Sequence, residues 1–187
     1  MATMHYTSFN RFHRVENMKN FSSKNWSMAD ISGKETTRRV AVAGGRIRIG
    51  REAFQLLDSG RLPKGDPLAM AEIAGIQAAK QTPSLIPLCH PISLNRVMVH
   101  SVLRPEDHSV EVFCVAEIAE KTGVEMEALT GLSIALLTIW DLTKPVNAAL
   151  EITNSRLIYK SGGKSGVWVN PDGLPDEVEM ILAEMDL

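Results

Sequence analysis

The sequence predicts an α+β domain in which an antiparallel sheet is covered by helices on one face. Strand-like and helical runs follow in the order β, α, α, β-hairpin, α, β, with neither a strict βαβ alternation nor a dinucleotide-binding fingerprint. The 187 residues, 44% of them hydrophobic, are enough to bury one core. We therefore expect one domain at residues 28–170, preceded by a flexible extension at 1–27 and followed by an acidic tail at 171–187.

The extension is polar and shows no hydrophobic periodicity. Its Arg and Ser content and its shortage of acids weakly resemble a mitochondrial presequence, although Glu16 and several asparagines dilute the resemblance. No run in the chain approaches eighteen apolar residues, so we expect no membrane span. These features favour the cytoplasm, with the mitochondrial matrix as the alternative if the extension is a presequence.

The first strand is expected at residues 36–49, where apolar and charged side chains alternate most clearly near the end. Gly44 and Gly45 interrupt the alternation and predict a bulge or bend. A short helix should follow at residues 51–59, and Gly60 is suited to end it.

A second helix is predicted at residues 68–80, because Asp66 and Pro67 are favoured at the N-cap and at the first helical position. Its many alanines suit close packing on a sheet or another helix. Valine-rich runs at 95–104 and 109–119, joined by a short polar turn, then predict a β-hairpin.

The loop between the second helix and the hairpin, residues 81–93, contains three prolines and presents His90. A rigid apolar loop suits a catalytic or anion-binding histidine, and a purely structural histidine is the alternative. Cys89 could form a nucleophile pair with His90, but adjacent residues seldom orient that way, so a buried small thiol is favoured. With Cys114 as the other cysteine, we expect two reduced thiols and no metal site.

The chain is organised around a long helix predicted at residues 124–142, which contains no proline. Glu127, Asp141 and Lys144 fall on one third of its circumference, together with Thr130 and Thr138. At a rise of ~1.5 Å per residue, the two carboxylates are ~21 Å apart. If both are catalytic, the site must be shared between two antiparallel helices, most simply across a two-fold axis.

Asp141 and Lys144 admit two interpretations. A solvent-exposed i, i+3 ion pair would stabilise the helix only slightly. Leu136, Ile139 and Trp140 nearby instead favour a partly desolvated pair with a functional role.

A further strand is expected at residues 150–159, followed by a glycine-rich loop at 160–166. The loop is not a P-loop, since Ile158 occupies the position of a required glycine and no helix follows. Lys160 and Lys164 among glycines and serines still suit a phosphate site, with a mobile hairpin as the alternative. Apolar residues at helical spacing in the acidic tail predict a short docked or fraying helix.

Charge is unevenly distributed along the chain. Residues 34–64 contain eight Lys and Arg and three acids, whereas residues 106–127 contain seven acids and one base. A basic segment facing an acidic one suits an anionic substrate handled by carboxylates, and it argues against nucleic acid, which binds a uniformly basic face.

Five segments together resemble one family. They read KGD at 64–66, PLCHP at 87–91, KTGVEMEAL at 121–129, DLTK at 141–144 and KSGGKSG at 160–166. The set is similar to the cyclic pyranopterin monophosphate synthases, the MoaC family of molybdenum cofactor biosynthesis. The resemblance implies a ferredoxin-like α+β subunit, a homohexamer built as a trimer of dimers, and active sites at subunit interfaces.

The resemblance also implies a reaction and its residues. A 3′,8-cyclised dihydro-GTP would be converted to cyclic pyranopterin monophosphate and diphosphate. By matching position, the catalytic residues would be Glu125, Glu127, Asp141 and Lys144. The substrate-binding residues would be Arg39, Lys64, Cys89, His90, Met126, Lys160 and Lys164. On this interpretation no cofactor is required, and Mg²⁺ is compatible with departure of the diphosphate.

We interpret Lys144, oriented by Asp141, as the principal general acid/base. Glu125 or Glu127 would hold the guanine-derived ring or relay protons. Phosphates would be bound by His90, Lys64 and Lys160. The competing hypothesis is a non-catalytic oligomeric module of the same fold that binds a nucleotide or phosphate, and measured turnover distinguishes the two.

Overall fold

A computed structural model describes residues 26–187. The predicted extension therefore lies outside the described residues, apart from Trp26 and Ser27, which are exposed. The elements follow in the order β1 (Thr37–Arg48), α1 (Arg51–Asp58), α2 (Pro67–Lys80), α3 (Thr82–Leu85), β2 (Arg96–Arg104), β3 (Ser109–Glu120), α4 (Glu125–Thr143), β4 (Glu151–Ser161), β5 (Trp168–Val169) and α5 (Asp176–Glu184).

The strands form one antiparallel sheet in the order β2-β3-β1-β4-β5. β1 lies at its centre and pairs along its whole length with β3, from Thr37 opposite Glu120 to Arg48 opposite Ser109. Its register with β4 shifts on either side of Ala43 and Gly44, which confirms the predicted bulge. The predicted ferredoxin-like α+β class is confirmed.

The two faces of β1 bury different cores, because successive side chains of a strand point to opposite sides. Ala41, Ala43 and Ile47 pack beneath α1, α2 and α4 in the larger core. Val40 and Val42 point to the other face, where they pack with α5. The prediction of helices on one face thus holds for the first four helices, and α5 adds a cover on the opposite face.

α5 is docked rather than frayed. Val178, Leu182 and Met185 are buried against the sheet. Arginines hold both ends of the helix: Arg104 pairs with Glu177 at 2.6 Å, and Arg38 Nη2 donates to the Met185 carbonyl oxygen at 2.9 Å. The tail is therefore part of the folded unit.

Most predicted boundaries agree with the structure within two residues. The Asp66 carboxylate caps α2 by accepting from the backbone N–H of Leu68 at 2.9 Å and of Ala69 at 3.2 Å. Two short elements escaped the sequence analysis: α3 within the proline-rich loop, and β5, which pairs with the end of β4. Both are too short to show a hydrophobic period.

Part of the charge contrast serves the sheet instead of a ligand, which corrects the interpretation drawn from the sequence. Arg46 pairs with Asp107 at 3.1 Å and with Glu111 at 3.3 Å. Arg38 pairs with Glu117 at 2.7 Å. Glu111 and Glu117 lie on β3 and Asp107 lies in the turn before it, so the basic and acidic segments neutralise each other where β1 meets β3.

α4 is the central helix of the larger core. The helix is long enough to span a membrane, and its mean hydropathy of 1.2 is high enough. Half of its apolar stretch is buried inside the domain, however, as expected of the core helix of a globular fold. It packs closely on α2 through two glycines. A Cβ on Gly75 would lie 3.0 Å from the Gly131 carbonyl oxygen and 2.8 Å from Val99 Cγ2. A methyl group at this position would crowd both the opposite backbone and the Val99 side chain.

Gly75→Ala is therefore expected to lower the free energy of unfolding by about 1–3 kcal/mol through overpacking. This outcome opposes the helix propensity, which favours alanine over glycine by about 1 kcal/mol. Urea denaturation measures the change, with Gln77→Ala at an exposed position of α2 as the matched control. A Gly75→Ala protein as stable as the wild type would show that the two helices can separate without cost.

Candidate active site

Five of the sequence-predicted site residues meet at the N-terminal end of α4. Cys89 and His90 come from the proline-rich loop, and Glu125, Met126 and Glu127 from the first turn of the helix. Together they line a cavity of about 230 Å³. The loop lies over the helix here, so residues 35 and more positions apart in the chain share one small space.

Glu127 lies beneath this loop and is only 3% exposed. Burial raises the pKa of its carboxyl group above the ordinary value, and the negative charge of Glu125 raises it further. Helical periodicity predicts that Glu127 lies on the same face as Asp141, but it contains no information about the loop that covers Glu127 and leaves Asp141 open. A carboxyl whose pKa is raised holds its proton to a higher pH than an exposed carboxyl does, which suits a role in proton transfer.

Cys89 is only partly buried, which corrects the expectation of a buried thiol. Burial raises the pKa of this thiol, and the nearby Glu127 carboxylate raises it further. It is therefore a neutral group in the wall of the cavity and not an activated nucleophile. The fully buried thiol is Cys114, whose pKa burial raises to about 12.

Glu125 reaches a second cavity on the other side of the helix end. Its carboxylate pairs with Lys160 Nζ at 3.0 Å, and a cavity of about 150 Å³ is lined by both residues together with Arg39 and Lys164. The glycine-rich loop supplies the two lysines. The glycine-rich loop therefore lies against the acidic start of α4.

Gly123 positions the Glu125 carboxylate, and the sequence analysis did not single it out. A Cβ at residue 123 would overlap the carboxylate oxygens of Glu125. The bare backbone thus lets the carboxylate fold back over the start of the helix. A glycine two positions before the first helical carboxylate was the signal available in the sequence.

Arg39 spans the second cavity while holding the backbone beside it. Its Nε donates to the Glu120 carbonyl oxygen at 2.9 Å, and its Nη2 donates to that of Lys121 at 3.3 Å. The guanidinium lies against Gly163, whose φ of 69° and lack of a Cβ permit this approach. Arg39 therefore organises the loop before α4 as well as contributing positive charge.

The remaining predicted residues form a separate cluster at the C-terminal end of α4. Asp141 accepts from Lys144 Nζ at 2.7 Å and from Lys64 Nζ at 2.9 Å. Lys64 also donates to the Asp141 carbonyl oxygen at 3.1 Å, one of the carbonyls left unpaired in the last turn of the helix. Hydrogen bonds from Lys144 and then Lys64 lower the pKa of Asp141 to about 2.

The second cluster is open to solvent within this chain. The side chains of Asp141 and Lys144 are 51% and 52% exposed, so the desolvated pair expected from the sequence is not formed by one subunit alone. Lys64, which the resemblance placed on phosphate, contacts Asp141 in this cluster. Two ammonium groups around one fixed carboxylate remain well suited to bind an anion.

The two clusters cannot meet within one chain. α4 runs without interruption from Glu125 to Thr143. Glu125 and Asp141 are sixteen positions apart, so their backbones are separated by ~24 Å at ~1.5 Å per residue. Among residues 26–187, no group of three His, Cys, Asp or Glu side chains could hold a metal ion.

Fold and site define an α+β enzyme subunit that pairs carboxylates with lysines at two places on one helix. Comparison with known proteins gives the family: residues 28–163 match the MoaC family model. The chain belongs to the MoaC family, whose members act in molybdenum cofactor biosynthesis.

Relatives span bacteria and a plant. A cyclic pyranopterin monophosphate synthase of Clostridium botulinum is 43% identical over 161 residues, which cover 86% of this chain and 98% of that protein. One of Roseiflexus is 48% identical over 143 residues, covering 76% of this chain and 90% of the relative. The Arabidopsis thaliana enzyme, named as mitochondrial, is 48% identical over 141 residues, covering 75% of this chain and 52% of that protein.

The buried Glu127 should make stability depend on pH. Its pKa is raised in the folded state, so the folded chain binds more protons than the unfolded chain above the ordinary pKa of 4.5. Stability is therefore lost as the pH rises through the folded-state pKa. Glutamine does not ionise, so Glu127→Gln should become more stable than the wild type as the pH rises from 4.5 to the folded-state pKa. The difference in the free energy of unfolding should reach about 1.4 kcal/mol for each unit of pKa shift.

Urea denaturation between pH 4 and pH 7.5 measures the difference, with Glu72→Gln at an exposed position of α2 as the control. A Glu127→Gln protein whose stability relative to the wild type stays constant with pH would contradict the raised pKa.

Proposed function

We propose that this chain is a cyclic pyranopterin monophosphate synthase, a lyase that converts (8S)-3′,8-cyclo-7,8-dihydroguanosine 5′-triphosphate to cyclic pyranopterin monophosphate and diphosphate. The observation that carries the proposal is the pairing of lysines with carboxylates at both ends of α4 in a chain 43–48% identical to relatives of that name. Opening the guanine ring and closing the pterin require several proton transfers, which such pairs can supply.

The cluster at the C-terminal end of α4 provides the principal acid/base. Asp141, with its pKa near 2, stays ionised at neutral pH and fixes the ammonium group of Lys144. Lys144 can then donate a proton to the substrate and take one back. Lys64, on the other side of the same carboxylate, supplies a second cation for the phosphates.

The cluster at the N-terminal end of α4 binds the rest of the substrate. Lys160, Lys164 and Arg39 bring positive charge to one cavity, which suits the triphosphate. Glu125 and Glu127 flank the adjoining cavity with His90, where the guanine-derived ring would lie. No resident cofactor is needed for these steps, and Mg²⁺ accompanying the triphosphate would assist departure of the diphosphate.

A complete site forms across a two-fold axis between two α4 helices. The exposed residues of α4 follow one stripe at helical spacing, namely Met126, Ser133, Leu137, Asp141 and Lys144. Two such stripes packed antiparallel would bring Glu125 of one subunit beside Asp141 of the other, with the axis near Ser133. The exposed Met70 and Ile73 of α2 and Leu137 of α4 extend this surface and suit an interface.

The assembly would be a homohexamer built as a trimer of such dimers. Light scattering of the purified protein tests it, and a monomer at assay concentration would contradict the shared site. The cytoplasm is the proposed location, with the mitochondrial matrix as the alternative if residues 1–27 act as a presequence. Fractionation of cells that express the tagged chain separates these two locations.

Turnover is the decisive test of the proposed function. The wild-type protein incubated with the cyclised GTP should release diphosphate and a pterin in equal amounts. Lys144→Ala should abolish both products with little loss of stability, because an ammonium at a helix end contributes at most about 1 kcal/mol. Lys80→Ala, at an exposed position of α2, is the control. Binding without turnover by the wild type would identify a non-catalytic nucleotide-binding module instead.

Complementation tests the shared site. Glu125→Gln and Asp141→Asn are each expected to be inactive as homo-oligomers. After co-refolding, random pairing makes half of the dimers mixed, and one of the two sites in each mixed dimer is intact. About a quarter of wild-type activity should therefore return. If mass spectrometry confirms mixed oligomers and no activity returns, both residues serve the same subunit's site and the two-fold model is wrong.

A further inference from the structure

Residues 28–35 form a strap that precedes β1 and borders the candidate site. The strap has little anchorage in the core: Ile31 is partly buried, and its other residues are exposed. Its internal hydrogen bonds shape a turn, in which Ser32 N donates to Asp30 Oδ1 at 2.9 Å and Lys34 N donates to the Ile31 carbonyl oxygen at 3.1 Å. These bonds define the turn but do not attach it to the domain.

Two side chains attach the strap to the domain, and both bond to its backbone carbonyls. His90 Nε2 lies 2.9 Å from the Ala29 carbonyl oxygen. Lys121 Nζ donates to the Ser32 carbonyl oxygen at 3.1 Å. A surface segment with so little burial would fray without such bonds. The position of the strap thus depends on His90 and Lys121.

The strap forms walls of two cavities at the N-terminal end of α4. Ala29 lines the cavity that contains His90 and Glu127. Gly33, Lys34 and Glu35 line a larger cavity of about 590 Å³, which shares Arg39 and Lys164 with the cavity around Glu125. Any displacement of the strap would therefore open the site on two sides.

We propose that Lys121 is a positioning residue that holds this strap closed and, through it, fixes the His90 ring. A carbonyl oxygen only accepts hydrogen bonds, so contact with Ala29 requires the proton on Nε2 of His90. In the neutral ring, Nδ1 then carries the lone pair, and the imidazole is held in one tautomer and one orientation. The role assigned to Lys121 rests on the proposed function, since His90 belongs to its substrate site.

Arg39 links the contact between Lys121 and the strap to the cavity that contains Glu125. It holds the carbonyl oxygens of Glu120 and Lys121 and so fixes the backbone from which the Lys121 side chain reaches the strap. The order of contacts runs from the sheet through Arg39 to Lys121, and from Lys121 to the strap.

Lys121→Met, which keeps the aliphatic stem and removes the donor, tests the proposal by two measurements. Hydrogen exchange of the peptide covering residues 28–36 should become about tenfold faster, the equivalent of one lost hydrogen bond. KM for the cyclised GTP should rise about tenfold while kcat stays within about threefold, because the folded catalytic groups remain in place. Lys121→Arg should restore both values, and Lys80→Met is the matched control.

A pair of truncations keeps the test valid if Lys121→Met does not fold. A chain starting at residue 28 should behave as the wild type, and one starting at residue 36 should show the raised KM. Unchanged exchange in Lys121→Met would overturn the anchoring role, and faster exchange with unchanged KM would overturn the effect on His90. A wild-type protein without turnover would overturn the proposed function instead, while the exchange measurement would still report on the Lys121 contact.

Discussion

The close contact between α2 and α4 is the constraint on which the rest of the structure depends. Gly75 and Gly131 let the two backbones approach until a Cβ added to either residue would lie 3.0 Å from the carbonyl oxygen of the other. This contact holds α4, an uninterrupted and half-buried rod, over the sheet. Because the rod carries functional groups only at its ends, its rigidity sets the distance between them. The packing of α4 in the core thus sets the distance between the two clusters of functional residues.

The surroundings at the two ends of α4 shift the pKa values of their carboxyl groups in opposite directions. Burial raises the pKa of Glu127, whereas hydrogen bonds from two ammonium groups lower the pKa of Asp141. Glu127 therefore holds its proton to a higher pH than an exposed carboxyl does, whereas Asp141 remains a fixed negative charge. Two residue types of similar intrinsic acidity acquire different roles from their surroundings alone.

The sequence was sufficient for features governed by local rules. The N-cap at Asp66, the bulge at Gly44 and the end of α1 before Gly60 each depend on residues close in the chain. Features that join distant segments could not be predicted in the same way. Lys64 contacts Asp141 across 77 positions, and the proline-rich loop covers Glu127 while Asp141 stays open. Periodicity places both carboxylates on one face but contains no information about what covers that face.

The docking of α5 has a consequence for what counts as the smallest stable piece of this protein. The family match ends at residue 163, yet the outer face of the sheet is closed by Val178, Leu182 and Met185. A chain cut at residue 170 would leave Val40, Val42 and Phe113 facing water and Arg104 without Glu177. Apolar strand surface left open in this way promotes aggregation. The sequence that identifies the family is therefore shorter than the sequence that keeps its sheet soluble.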